Sequence, residues 1–178
     1  MADVFDNHAP DGERERLLAL IRETQWIAWQ LLTKRPQNMA KMLPADWGNG
    51  YPNVWLGTTV ENQVEAKRRI PYLLAVPAAI HFLSCEPLLE AIDLAPWLNG
   101  IDWVIAGGES GRGARPMHPA WVRSLRDQCM EAGTAFFFKQ VGSHRGDWPG
   151  VTEKKGEDIN QFPDDLRIRE FPTATHWS

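Results

Sequence analysis

The sequence predicts an α/β protein built on about five parallel strands. Two observations lead there. Five short apolar segments, rich in β-branched and aromatic residues, recur along the chain. The intervals between them are long enough for a helix and a return, as parallel pairing requires. A complete eightfold barrel takes about 250 residues, and this chain has 178. An incomplete (β/α) barrel is therefore expected, with an open parallel α/β sheet as the alternative.

The elements follow in order. A helix is predicted from Gly12 to about Glu23, capped by Asp11, with Leu17, Leu18, Leu20 and Ile21 as its apolar stripe. The run Trp26–Thr33 reads as the first strand, and Pro36 opens a short helix to about Leu43. Residues 44–53 are rich in turn formers. Val54–Val60 is the second strand. Glu61–Val76 reads as a helix with Val64, Arg68, Tyr72 and Leu73 on neighbouring turns and a break or kink at Pro71. Ile80–Ser84 is the third strand, and Pro87 and Pro96 keep any helix after it short. Trp103–Gly107 is the fourth strand. Pro119 opens a helix that Gly133 ends, with Trp121, Val122, Leu125 and Met130 on its apolar face and Cys129 alongside. Ala135–Phe138 is the fifth strand.

Residues 1–141 thus form one partial barrel domain. From Gly142 the chain turns polar and weakly patterned, and 142–178 is expected to be a loop and tail on the same domain, packing back through Leu166, Ile168 and Phe171.

Composition narrows the function classes. Nineteen Lys and Arg against 23 Asp and Glu leave a formal charge of −4. That argues against wholesale coating of nucleic acid, though a local basic patch stays open. Two cysteines, Cys85 and Cys129, cannot supply a four-cysteine zinc site or a three-cysteine cluster motif. The five histidines show no HxxxH or HxH spacing, so no metal site is expected from this chain. No apolar run approaches the ~20 residues of a membrane span, and the acidic start is unlike a secretory signal. A cytoplasmic protein without membrane contact is expected. Of nine tryptophans, Trp26, Trp29, Trp55, Trp103 and Trp121 fall in periodic segments and are expected mostly in the core.

Chemistry in parallel α/β proteins gathers at the C-terminal ends of the strands. Here each strand ends in polar groups: Thr33, Lys34 and Arg35; Glu61; Ser84, Cys85 and Glu86; Gly107, Gly108, Glu109 and Ser110, with Arg112, Arg115 and His118 beyond; and Lys139 and Gln140. Polarity at one strand end means little, since the chain is emerging into water there. Agreement among all five points to a polar ligand site on one rim. The glycine pair of GGES lets a ligand approach the backbone closely, where free N–H groups can hold a carboxylate or phosphate, or simply makes a tight turn before Pro116–Pro119. It is neither a GxGxxG nor a P-loop. Cys85 has no base within reach: His81, four residues back on the same strand, is about 13 Å away. It reads as a small strand-end residue. Lys34–Arg35 and Arg112–Arg115 could hold phosphate, whereas Lys67–Arg69 reads as a solvated helix face.

The segments LLTKRPQNM, PNVWLGTTVEN, RIPYLLAVPAAIHFLSCEPLL, IDWVIAGGESGRGARPMHPAWVRSLRDQC and FFFKQVG together resemble the phage and prophage three-Cys-motif protein family of unknown function, over about residues 4–171. The resemblance implies a β/α barrel related to radical S-adenosylmethionine enzymes. Longer members carry an upstream segment with three cysteines, which would ligate a [4Fe–4S] cluster that cleaves S-adenosylmethionine. No such segment is present here, so radical chemistry by this chain alone is not expected, and cluster and S-adenosylmethionine are implied only if that segment is supplied. GGES resembles the motif that holds the methionyl amine in those enzymes, here after the fourth strand. The resemblance places Lys34, Arg35, Glu61, Glu86, Glu109, Ser110, Arg115 and Lys139 around the cavity.

The resulting expectation is a phage-derived, radical-SAM-like barrel fragment with a polar ligand cavity, its status as an enzyme left open. Two alternatives stand. One is an interaction protein that pairs with a partner or a second copy through an exposed sheet edge, with Trp26, Trp29 and Trp55 nearby. The other is a phosphate- or nucleic-acid-binding protein using Lys34, Arg35, Arg112 and Arg115.

Overall fold

The structure is a computed structural model that describes residues 3–10 and 12–173. Five strands, β1 (Trp29–Thr33), β2 (Val54–Thr59), β3 (Ile80–Cys85), β4 (Trp103–Gly107) and β5 (Ala135–Gln140), form one open sheet in the order β1-β2-β3-β4-β5. All four pairings are parallel. The order never reverses, so the sheet has no switch point of the doubly wound kind. Closure into a barrel is absent among the described residues.

Side-chain alternation sorts the strands into two faces. Leu31, Leu56, Leu83, Val104, Phe136 and Phe138 share a core with Leu18 and Ile21 of α1 (Glu13–Glu23), Ile70 and Leu73 of α3 (Gln63–Leu74), and Val122 and Leu125 of α4 (Pro119–Ala132). The opposite face carries Trp55, Ile80, Phe82 and Trp103, with Ile105, Ala135 and Phe137 against them, and no helical residue joins that cluster. The helices therefore cover one face, and aromatic side chains cover the other. Trp103 packs edge-on to Trp55 and Phe137, at 6.0 and 5.8 Å between ring centroids. Phe171, from the tail, lies over Trp103 and Phe137 at 5.3 and 5.4 Å although its outer side stays exposed.

Local chemistry accounts for the element boundaries. The connection after β1 is a 3₁₀ turn, Pro36–Asn38, running into α2 (Met39–Met42), with proline in the first turn where its missing N–H costs nothing. Asn62 caps α3 by accepting from Glu65 N at 2.9 Å. The helix includes Pro71, the expected point of a break or kink, and ends three residues beyond it at Leu74, short of the expected Val76. Its buried face is also not the expected one. Ala66, Arg69, Ile70 and Leu73 are inside, while Val64 and Tyr72 are exposed. The apolar stripe Ala66, Ile70 and Leu73 sets that face, and Arg69 beside it is buried with its charge paired to Glu61 and Glu65. In α4, Val122, Leu125 and Cys129 are buried, and Met130 is exposed against expectation. Gly133 ends α4 in the left-handed region at φ 72°. Asp11, the expected cap of α1, lies outside the described residues.

The first strand begins at Trp29, three residues later than expected. Trp26 sits in the preceding turn and is 74% exposed. Of the five tryptophans expected inside, Trp55 and Trp103 are buried, and Trp29 and Trp121 are partly buried against the core.

The two sheet edges differ. Beyond β5 the tail runs antiparallel: Phe138 N donates to Ile168 O at 2.9 Å and Glu170 N to Phe136 O at 3.0 Å. The preceding segment buries Trp148, Phe162 and Leu166 in the helical-side core, and Trp148 Nε1 donates to Met117 O at 2.7 Å. Beyond β1 there is no strand among the described residues. Trp29 N donates to Asn53 O at 2.8 Å. Parallel ladders alternate, so the backbone groups of Gln30 and Leu32 point away from β2.

Gly57 on β2 lies beneath the Phe82 ring, where a Cβ would overlap it. Gly57→Ala is expected to cost about 2 kcal/mol and lower the melting temperature by ~4–8 °C, measured by thermal denaturation. Loss is expected to be recovered in part by Phe82→Leu.

Candidate functional site

The second sheet face changes character along its length, from the aromatic cluster to polar groups at the C-terminal ends of the strands. Thr59, Ser84, Glu86, Gly108, Glu109, Ser110, Lys139 and Gln140 line a cavity of about 340 Å³ there, with Leu32 and Pro87. That volume is at the lower end for small-molecule sites, which run ~300–1,000 Å³. Glu86 lies at its centre, with Lys139 Nζ 3.1 Å from Oε1 and Ser84 Oγ donating to Oε2 at 3.3 Å. Gln140 Nε2 donates to Gly108 O at 2.9 Å and to Ser110 Oγ at 2.8 Å, tying the loop after β4 to β5.

The GGES glycines have a packing reason. A Cβ on Gly107 would lie 2.7 Å from Glu86 Oε1, and one on Gly108 would overlap Val141 O. Gly142, at φ +91°, completes the crossing of the two loops, and Ser143 N donates to Glu109 O at 2.8 Å.

Glu109 turns to Arg115, which donates to it from Nε and Nη2, both at 2.8 Å, and from its backbone N at 2.9 Å. The side-chain hydrogen bonds from Arg115, then its backbone N–H, hold the Glu109 carboxyl at about 2. His118 accepts from Ala120 N and caps α4, so it is not part of the cavity lining.

Of the eight candidate residues, Glu86, Glu109, Ser110 and Lys139 line this cavity together. Arg115 reaches it only through Glu109. Lys34 and Arg35 instead line a separate groove with Gln37, Arg68 and Tyr72. Glu61 is buried in an ion network. Its Oε1 lies 2.6 Å from Lys34 Nζ and its Oε2 2.6 Å from Arg69 Nη1, which also donates to Thr59 O at 2.7 Å. Arg69 Nε lies 2.8 Å from Glu65 Oε2. Burial pushes the Glu61 carboxyl up, but the Lys34 hydrogen bond and the Arg69 charge outweigh it, and the net direction is down. Arg69 is buried in this network, not on the solvated helix face that its place in Lys67–Arg69 suggests, and sequence reasoning misses it. The signal was its spacing: Glu65 is four residues before it, on the same helical stripe. It also missed Thr59, the last inward residue of β2.

Both cysteines are fully enclosed, and burial pushes the Cys85 thiol well up and that of Cys129 to about 12. Two such thiols do not fit the three-thiolate ligation that a [4Fe–4S] cluster takes. No group of three or more His, Cys, Asp or Glu among the described residues is placed to hold a metal ion. Another cavity, of about 730 Å³, is at the other end of the strands, beside Ile101, Asp102, Thr134 and Glu170. Its acids accept backbone N–H groups, Asp102 from His81 at 2.7 Å and Glu170 from Phe136 at 3.0 Å, and no cationic side chain lines it among the described residues.

These features define an α/β protein with an open, singly wound parallel sheet and a polar cavity at the strand ends. Over residues 1–167 the chain matches the family described as "Protein of unknown function (DUF5131)", and it belongs to that family. Searches of curated proteins and of solved structures return no match. No helix among the described residues is long and apolar enough to cross a membrane.

Two outcomes are expected. Arg69→Met removes one of the two cations on the buried Glu61 and leaves Lys34 as the other, and chemical denaturation is expected to show a loss of about 2–3 kcal/mol. For Glu109, a depressed carboxyl contributes stability above its ordinary pKa and loses it as pH falls through about 2. Carboxyl-detected NMR is expected to place its titration near that value, and Arg115→Gln to return it toward the ordinary glutamate range.

Proposed function

We propose that the strand-end cavity binds a small zwitterionic ligand, one carrying an amine and a carboxylate close together. The observation that carries this is the Glu86–Lys139 pair, at 3.1 Å in a cavity built from the ends of five strands. A ligand amine replaces the ammonium at Glu86, and a ligand carboxylate takes the released Lys139, so no charge is left unpaired on binding. Ser84, Ser110 and Gln140 add neutral hydrogen bonds around it.

S-adenosylmethionine has such an end. The resemblance to radical-SAM-like phage proteins supports choosing it as the ligand, with this chain as the barrel fragment that holds it. Glu86 would receive the amine and Lys139 the carboxylate. The sulfonium of that ligand is what makes its carbon substituents transferable or cleavable, and this chain's own part is binding and orientation.

Isothermal calorimetry with S-adenosylmethionine tests the reading, with methionine as the smaller probe. Saturable binding is expected, weakened roughly tenfold or more by Glu86→Gln and by Lys139→Met, in line with ~1.5–3 kcal/mol for a charged hydrogen bond. Absence of heat and of competition at ~1 mM ligand, a level where a ~4 kcal/mol interaction would register, would refute it.

A further inference from the structure

The groove that takes Lys34 and Arg35 away from the cavity has its own composition. It lies where the end of β1 and the following 3₁₀ turn meet α3, encloses about 530 Å³, and is lined by Lys34, Arg35, Gln37, Arg68 and Tyr72. Among the described residues no carboxylate lines it, although the chain as a whole carries −4. It shares no lining residue with the strand-end cavity.

Its cations are held but not used up. Lys34 Nζ has Glu61 at 2.6 Å, Arg68 Nη2 has Glu65 at 2.6 Å, and Arg35 reaches Asp3 and Asp6 at 3.3 and 3.2 Å. An ammonium has three N–H donors and a guanidinium five, so these contacts fix the side chains and leave donors over. Tyr72 follows Arg68 by one helical turn on the same stripe of α3 and is 52% exposed. An accessible aromatic ring beside three cations is the arrangement that takes a base by stacking and its phosphate by charge-assisted hydrogen bonds.

We propose that this groove binds a nucleotide unit, with the base on Tyr72 and the phosphate on Arg68, Arg35 and Lys34. A free mononucleotide and a single strand of nucleic acid offer this same chemistry. Fluorescence anisotropy with labelled single-stranded DNA and RNA of ~10 nucleotides, and calorimetry with adenosine monophosphate and with inorganic phosphate, separate the sources.

Tighter binding of the strand than of the mononucleotide identifies a strand as the occupant, and equal binding a free nucleotide. For a strand, one phosphate held in the groove predicts a salt slope of about −0.7, rising to about −2.1 if the three cations each take a separate phosphate. Arg68→Ala is expected to weaken strand and mononucleotide roughly tenfold. Tyr72→Ala is expected to weaken them by about the same factor and to leave the weak binding of inorganic phosphate unchanged. Both side chains are exposed, so the variants are expected to melt with the parent. No binding of strand or nucleotide at ~50 mM salt, where such contacts are strong, overturns the proposal. So does binding that neither variant affects, or a Tyr72→Ala protein that binds as well as the parent. Glu86→Gln lies elsewhere and is expected to leave this binding intact, so the groove and the zwitterion cavity can fail separately.

Discussion

The structure depends on one constraint: five strands run the same way and lie side by side in the order they occur in the chain. Consecutive parallel strands joined by crossovers of one hand put their helices on the same side. That side closes into a conventional core of aliphatic and aromatic residues. Among the described residues the other side receives no helix, and the sheet covers itself there with large side chains. Trp55, Phe82, Trp103 and Phe137 do this, with Gly57 giving the Phe82 ring room to lie on the backbone. The same direction brings every strand's polar end to one rim. Fold and site are two results of one topology.

The rim must also accommodate charge in a partly dry setting. Two solutions coexist. At β2, Glu61 and Arg69 are both buried and complete each other, with Lys34 and Glu65 extending the chain of charges to β1 and along α3. Such a network fixes geometry more than it adds stability, because desolvation offsets much of the attraction. At β3 and β5, Glu86 meets Lys139 in a cavity with most of the lysine still exposed. The first pair is enclosed by the fold, whereas the second keeps its lysine open to solvent.

Much of the fold was legible in the sequence because buried parallel strands are apolar on both faces and read as short runs such as VWLGTT and IHFLS. Helix faces were harder to read. Tyr72, Val64 and Met130 are apolar and lie outside, while Arg69 is charged and lies inside, and periodicity alone ranks them the other way. Trp26 is misleading for the same reason, since a large apolar residue beside a strand need not belong to it. The rim could be recognised as a rim, but not divided. Glu86, Glu109, Ser110 and Lys139 share a cavity, whereas Lys34 and Arg35 at the edge strand turn toward α3. That split depends on where the sheet ends, and the sequence has no term for an edge until the strands are ordered. The GGES glycines were readable as a close approach, but the approaching group is the backbone at Val141 and Gly142, far along the chain.

The arrangement of β1 tests the whole account most directly, because it is the strand where the one-way sheet stops. Amide hydrogen exchange resolved by NMR reads each N–H in turn. Leu31 and Thr33, which face β2, are expected to exchange slowly, and Gln30 and Leu32, which face outward, to exchange quickly. Uniform protection along the strand would mean that the edge is covered, and uniform fast exchange that β1 is not paired with β2. Either result would contradict an open parallel sheet ending at this strand.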